Sequence, residues 1–240
     1  MEKEQFSYEL TEKARKIGID ITQDDVERFY EYMNLLLEWN EKINLTAITE
    51  PNEVILKHFI DSITINKYLK EANTIMDIGT GAGFPGIPLK IINFNKKFTL
   101  VDSLNKRINY LKGVCQKLCL NEVECLHARA EELANNKTYR EQYDVVTSRA
   151  VARLSTLLEY MLPFVKVGGR CICMKGANPK AEIEEAKKAV EVLGGRIEKI
   201  DNFLLPDSDM ERNIIIIEKI KKTPNCYPRK AGIPSKQPII

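Results

Sequence analysis

Ile75-Met76-Asp77-Ile78-Gly79-Thr80-Gly81-Ala82-Gly83-Phe84-Pro85-Gly86 is the stretch that decides the fold. A short apolar run stops in a glycine-rich turn, and an apolar segment containing Leu89, Ile91 and Ile92 follows. That order predicts a strand, a tight turn and a helix. Glycine lets the backbone turn sharply and come close to a ligand because it carries no Cβ. In open α/β sheets such a turn lies at the carboxyl edge of the strands, where ligands bind. Asp77 sets a carboxylate at the strand's end, ahead of the first glycine.

Outward from this turn the pattern alternates. Residues 98–101 read as a second strand closed by Asp102, 105–118 as a helix, 123–126 as a third strand and 143–147 as a fourth. Residues 154–162 read as a helix stopped by Pro163, and 170–174 as a strand after the Gly168-Gly169 turn. A charged helix over 180–193 is followed by strands at 196–204 and 213–218. Strands alternating with helices predict a mainly parallel, seven-stranded sheet covered on both faces, and the closely spaced last pair is expected to be antiparallel. Before the turn, Phe29, Tyr32, Met33, Leu36 and Leu37 recur at helical spacing, with Thr22 as the cap; a second helix is expected over 52–68, after Pro51. The expected organisation is a helical cap over 1–70, a ligand-binding α/β domain over 71–220 and an extended, basic, proline-rich tail over 221–240, where four prolines argue against a regular element.

Composition is that of an ordinary globular chain: 240 residues, 44% hydrophobic, 29% charged, net charge +2. The charge is unevenly spread. The first sixty residues are acid-rich, whereas Arg212, Lys219, Lys221, Lys222, Arg229, Lys230 and Lys236 crowd the end, a distribution that permits attraction of an acidic partner. The six cysteines (Cys115, Cys119, Cys125, Cys171, Cys173 and Cys226) form no CxxC pair and the only histidines are His58 and His127, so no metal site is expected. An acidic N-terminus without an apolar core, and no apolar run near 20 residues, predict neither export nor a membrane span; a reducing cytoplasm is the simplest setting.

Two ligands compete for the glycine turn. Gly81 to Gly86 satisfies G-x-G-x-x-G, and Asp102 lies where the ribose-binding acid of a dinucleotide site belongs. Against this, the Asp77 carboxylate would repel a pyrophosphate and favour a ligand bearing an ammonium and a sulfonium. Asp77-x-Gly79-x-Gly81-x-Gly83 resembles the first motif of class I S-adenosylmethionine methyltransferases. Asp102 is placed to accept ribose hydroxyls; Arg129-Ala130-Glu131, after the third strand, is placed to read the adenine edge, although Glu131 suits a helix cap equally well. Thr147-Ser148-Arg149-Ala150 ends the fourth strand. A nicotinamide-dependent oxidoreductase, an RNA-binding module without activity, and a methyltransferase of protein or small molecules stay open on these residues alone.

With these pieces placed, the chain over 35–238 resembles the ribosomal RNA small subunit methyltransferase G family, also called glucose-inhibited division protein B. The resemblance is carried by Trp39-Asn40 with Asn44-Leu45-Thr46, His58 with Asp61-Ser62, Asp77 to Gly86 with Phe84-Pro85-Gly86, and Asp102 with Lys106-Arg107. It is also carried by Arg129-Ala130-Glu131, Ser148-Arg149-Ala150, Lys175-Gly176, Glu211-Arg212 and Tyr227-Pro228-Arg229 with Gly232-x-Pro234. It implies a Rossmann-like class I fold and N7 methylation of one guanosine in small-subunit (16S) RNA; the expected partner is that RNA or its precursor particle, and a monomer is expected. It implies S-adenosylmethionine contacts at Gly79, Phe84, Asp102, Ser103, Leu104, Ala130, Glu131 and Arg149, to which the motif adds Asp77, Gly81 and Gly83. Arg149 is expected to orient the cofactor, Lys175, Arg212 and Arg229 are candidates for RNA, and His58 with Asp61 is expected to steady the pocket.

Overall fold

The computed structural model describes residues 1–149, 152–177 and 179–240. Seven strands, β1 (Thr74–Ile78), β2 (Lys97–Asp102), β3 (Val123–His127), β4 (Tyr143–Arg149), β5 (Val165–Lys175), β6 (Gly195–Leu204) and β7 (Glu211–Lys219), form one sheet in the order β3-β2-β1-β4-β5-β7-β6. All neighbours are parallel except β7, which runs antiparallel to both β5 and β6. The order reverses between β1 and β4, and this switch point is where the carboxyl ends of the strands open a crevice.

The central strands of the sheet are buried on both sides. Ile214 and Ile216 of β7 pack in one apolar cluster with Ile75, Phe98, Val145 and Ile172, while Ile215 and Ile217 join Met76, Val146, Cys171 and Cys173 in another. Side chains alternate between faces along a strand, so a run of four isoleucines is what a strand covered on both faces requires. Two of the cysteines are therefore core residues; Gly168, expected as a turn before β5, lies within that strand at φ 86.

The cap begins with α1 (Lys3–Lys16) and α2 (Gln23–Ile43). Thr22 caps α2 in a reciprocal box with Asp25. The stretch expected as a single helix over 52–68 is α3 (Pro51–Val54), a π-helical turn (Ile55–Ile60), α4 (Asp61–Ile63) and a 3₁₀ turn (Asn66–Tyr68). Helices α5 (Gly86–Ile92), α6 (Asn105–Lys117), α7 (Ala130–Leu133), α8 (Leu154–Met161) and α9 (Lys180–Val192) complete the layers. One apolar cluster runs without a break from Phe6 and Leu10 through Phe29, Tyr32 and Phe59 to Phe84, Ile87, Ile108 and Leu111. The cap thus shares its core with α5 and α6. The tail, expected to lack regular elements and to lie over the surface, instead carries a helical turn, α10 (Ile233–Lys236), and buries Thr223, Pro228 and Pro234. No helix among the described residues is long and apolar enough to cross a membrane.

Candidate active site

At the switch point lies a cavity of about 410 Å³, lined by Ile78 and Gly79 at the end of β1, Val101, Asp102 and Ser103 at the end of β2, Arg107 of α6, Ala128 to Glu131 after β3, Arg149 at the end of β4 and Tyr160 of α8. Its size is that of a small-molecule site. Nine of these residues were legible as candidates or motif members, whereas Tyr160 was not: it comes from an amphipathic helix with no local signature. The candidate Ala150 lies outside the described residues.

The glycine turn is folded by the protein's own carboxylates. Asp77 Oδ2 accepts from the Gly86 N–H at 2.9 Å and from Thr80 Oγ1 at 2.7 Å, while Oδ1 has no partner. Burial pushes the Asp77 carboxyl up to about 7. Asp77, expected at the ligand, is fully buried, and its bonded oxygen is turned back onto the amide that opens α5. Asp102 Oδ2 accepts from the Gly81 N–H at 3.0 Å and from Arg107 at 3.3 Å, and Oδ1 from the Leu104 N–H at 2.9 Å. Two glycines of the turn are required by packing. A Cβ on Gly83, at φ 104, would meet Ile87, Tyr32 and Leu111 within 3 Å, and one on Gly86 would collide with Leu100 and meet Asp77 at 2.9 Å.

Arg149 is held on every side. Its guanidinium donates to the Lys57 carbonyl and to Asp61 Oδ2, both at 3.1 Å, and to His58 Nδ1 at 3.2 Å, and it lies 5.0 Å from the centre of the Phe84 ring. His58 stacks on Phe84 with centroids 4.3 Å apart. With Nδ1 accepting from Arg149, the tautomer is assigned with Nε2 donating to Thr46 Oγ1, 2.8 Å away. Burial, then the Arg149 charge, hold His58 down to about 3. Phe84, expected to touch the cofactor, thus forms the shelf beneath Arg149, and the peptide bond to Pro85 is cis. The π-helical turn is what presents both Lys57 and His58 to Arg149, a use common to such turns at functional sites.

The expected RNA-binding cations are engaged within the chain. Arg212 donates to Asp61 Oδ1 at 2.9 Å, so nearly buried Asp61 bridges Arg149 and Arg212. Lys175 reaches the Ala152 carbonyl at 2.6 Å and Glu182 at 2.8 Å, and Arg229 grips Glu159. Sequence reasoning placed Asp61 beside His58 but missed the bridge, since Arg149 and Arg212 come from distant strands. Among the described residues no group of three or more His, Cys, Asp or Glu is placed to hold a metal.

A mainly parallel seven-stranded sheet with β7 reversed, opening at β1/β4 beside a glycine turn, is the architecture of a class I methyltransferase. A SAM-dependent methyltransferase from Aquifex aeolicus shares this fold, with a TM-score of 0.51 and 20% identity over 70% of this chain and 93% of that one. The profile of the family described as rRNA small subunit methyltransferase G matches residues 25–215. Relatives that carry the name ribosomal RNA small subunit methyltransferase G include one from Alkaliphilus metalliredigens, 52% identical over 96% of this chain and 97% of its own, and one from Oceanobacillus iheyensis, 51% identical over the whole of both. The chain belongs to the ribosomal RNA small subunit methyltransferase G family.

Proposed function

We propose that this chain transfers a methyl group from S-adenosylmethionine to N7 of a guanosine in small-subunit (16S) ribosomal RNA. The observation that supports the cofactor over a dinucleotide is where the protein's carboxylates sit. A pyrophosphate is bound by glycine-turn amides and the helix N-terminus behind them. Here Asp102 takes the Gly81 amide and Asp77 takes the Gly86 amide that opens α5. What remains is a cavity of mixed charge, with Asp102 and Glu131 facing Arg107, Arg129 and Arg149. That donor set fits a ligand with ribose hydroxyls and an amino-acid zwitterion. Asp102 is suited to the ribose, with Gly79, Ser103 and Leu104 beside it; Ala130 and Glu131 are suited to the adenine edge.

Bound S-adenosylmethionine supplies an activated methyl group. Guanine N7 offers an in-plane lone pair and carries no proton, so the protein needs no general base. The site fits that requirement: His58 has Nδ1 engaged by Arg149 and is neutral at physiological pH. Catalysis then rests on aligning two reactants. Arg149, fixed by Lys57, His58 and Asp61, orients the cofactor as a rigid part of the wall. Arg212 and Lys175 stand on strand ends at the same edge of the sheet and are candidates for RNA phosphate or guanine O6. The enzyme acts as a cytoplasmic monomer on this reading.

Labelled methyl transfer to total ribosomal RNA, with mapping of the modified nucleotide, tests the reading. Label on guanine N7 of the small-subunit RNA is the expected result; label on a pyrimidine or a ribose overturns it. Calorimetric titration is expected to show binding of S-adenosylhomocysteine and none of NAD.

A further inference from the structure

The motif Tyr227-Pro228-Arg229 with Gly232 and Pro234 has no part in the reading above, and its contacts converge on one wall of the cavity. Arg229 forks the fully buried Glu159 carboxylate of α8: its backbone N–H is 2.7 Å from Oε1, Nε is 3.0 Å from the same oxygen, and a terminal nitrogen is 2.7 Å from Oε2. Three residues on, the Gly232 N–H donates to Glu131 Oε1 at 3.3 Å. Thr156 Oγ1, also on α8, donates to the Pro234 carbonyl at 3.1 Å, and Pro234 is buried. Glu131 lines the cavity, as does Tyr160, which follows Glu159 in the chain. Moving Arg229 onto an RNA phosphate would strand the Glu159 carboxylate unpaired in the interior, which is strongly unfavourable.

We propose that residues 227–235 form a wall of the cofactor site, with Arg229 as the positioning residue that anchors it and Gly232 as the group that fixes the Glu131 carboxylate. The Gly232 amide occupies Oε1 and leaves Oε2 as the acceptor for the ligand. Arg229 is thereby withdrawn from the RNA-contacting set. The inference rests on the reading that the cavity takes S-adenosylmethionine.

The test uses the full chain as wild type, Arg229→Ala and Thr156→Val. The second variant removes only the hydroxyl that holds Pro234 and leaves the buried ion pair intact, so it remains informative if the first fails to fold. S-adenosylhomocysteine affinity is expected to fall about tenfold in Arg229→Ala and about threefold in Thr156→Val, the scale of a lost charged and a lost neutral hydrogen bond. KM for S-adenosylmethionine rises with kcat little changed, and the salt dependence of RNA binding stays that of the wild type. Unchanged S-adenosylhomocysteine affinity in Thr156→Val overturns the proposal. So does an Arg229→Ala chain that binds S-adenosylhomocysteine normally but whose RNA salt slope drops by about one. A wild-type chain that binds no S-adenosylhomocysteine strikes the cofactor reading itself, and the wall falls with it.

Discussion

Asp77 is a carboxylate in full burial, with one oxygen bonded to Thr80 and Gly86 and the other without a partner. Its value moves from an ordinary 3.8 to about 7. Between those values the folded chain holds a proton that the unfolded chain has lost, so this group's contribution to stability falls as pH rises. His58 works the other way: its ordinary 6.5 drops to about 3, and its contribution is lost as pH falls from 6.5. Comparing Asp77→Asn with the wild type cancels the histidine. Chemical denaturation from pH 4 to pH 8 is expected to show the variant gaining on the wild type up to about pH 7, by at most about 1.4 kcal/mol per pH unit, and levelling off above it. A constant difference across that range would mean that the Asp77 carboxyl titrates in its ordinary range.

At the scale of elements, α2 is tied to the glycine turn by one side chain: the Tyr32 hydroxyl donates to the Ala82 carbonyl at 2.6 Å inside the core. Tyr32→Phe is expected to cost about 1–2 kcal/mol of stability and to weaken S-adenosylhomocysteine binding, measured by denaturation and calorimetry. The tail yields a second prediction. Lys219 is fully buried, donates to the Leu162 carbonyl at 2.6 Å and also bonds Thr223; burial lowers its value to about 8. A chain cut after Lys219 loses Thr223 and with it this ammonium's hydroxyl partner. Its melting temperature is expected to drop by roughly 5–10 °C, which makes such a cut a poor probe of RNA binding. Most elements were legible because their strands are short apolar runs bounded by turns and their helices keep an apolar period near four. Helix α1 was not: its buried positions, Phe6, Leu10 and Ala14, make a narrow stripe in a polar segment. The π-helical turn was hidden because Arg149, which bonds the Lys57 carbonyl within it, lies far along the chain.

For the whole molecule, the loop and the carboxylate at Asp102 were legible, since each is a local pattern with a fixed place in an α/β sheet, whereas the strand order that sets the switch point was not. The contacts made by Asp77, Phe84 and Arg229 were not legible, because they depend on what packs around them. Asp61 shows the same limit: it joins Arg149 of β4 to Arg212 of β7 and so links the cavity wall to the end of a distant strand. Asp61→Asn is expected to lower both S-adenosylhomocysteine and RNA affinity, each by about threefold or more, measured by titration on one preparation. Loss of one affinity alone would show that the two arginines act separately.

The position of β7 between β5 and β6 has a consequence for how the chain is made. During synthesis β5 and β6 both emerge before the strand that joins them, so each nascent chain passes through a stage with an open, hydrogen-bond-hungry edge on β5. The four isoleucines that close this gap arrive late, and a premature stop anywhere before Glu211 leaves a product that exposes sticky surface instead of a shorter working enzyme.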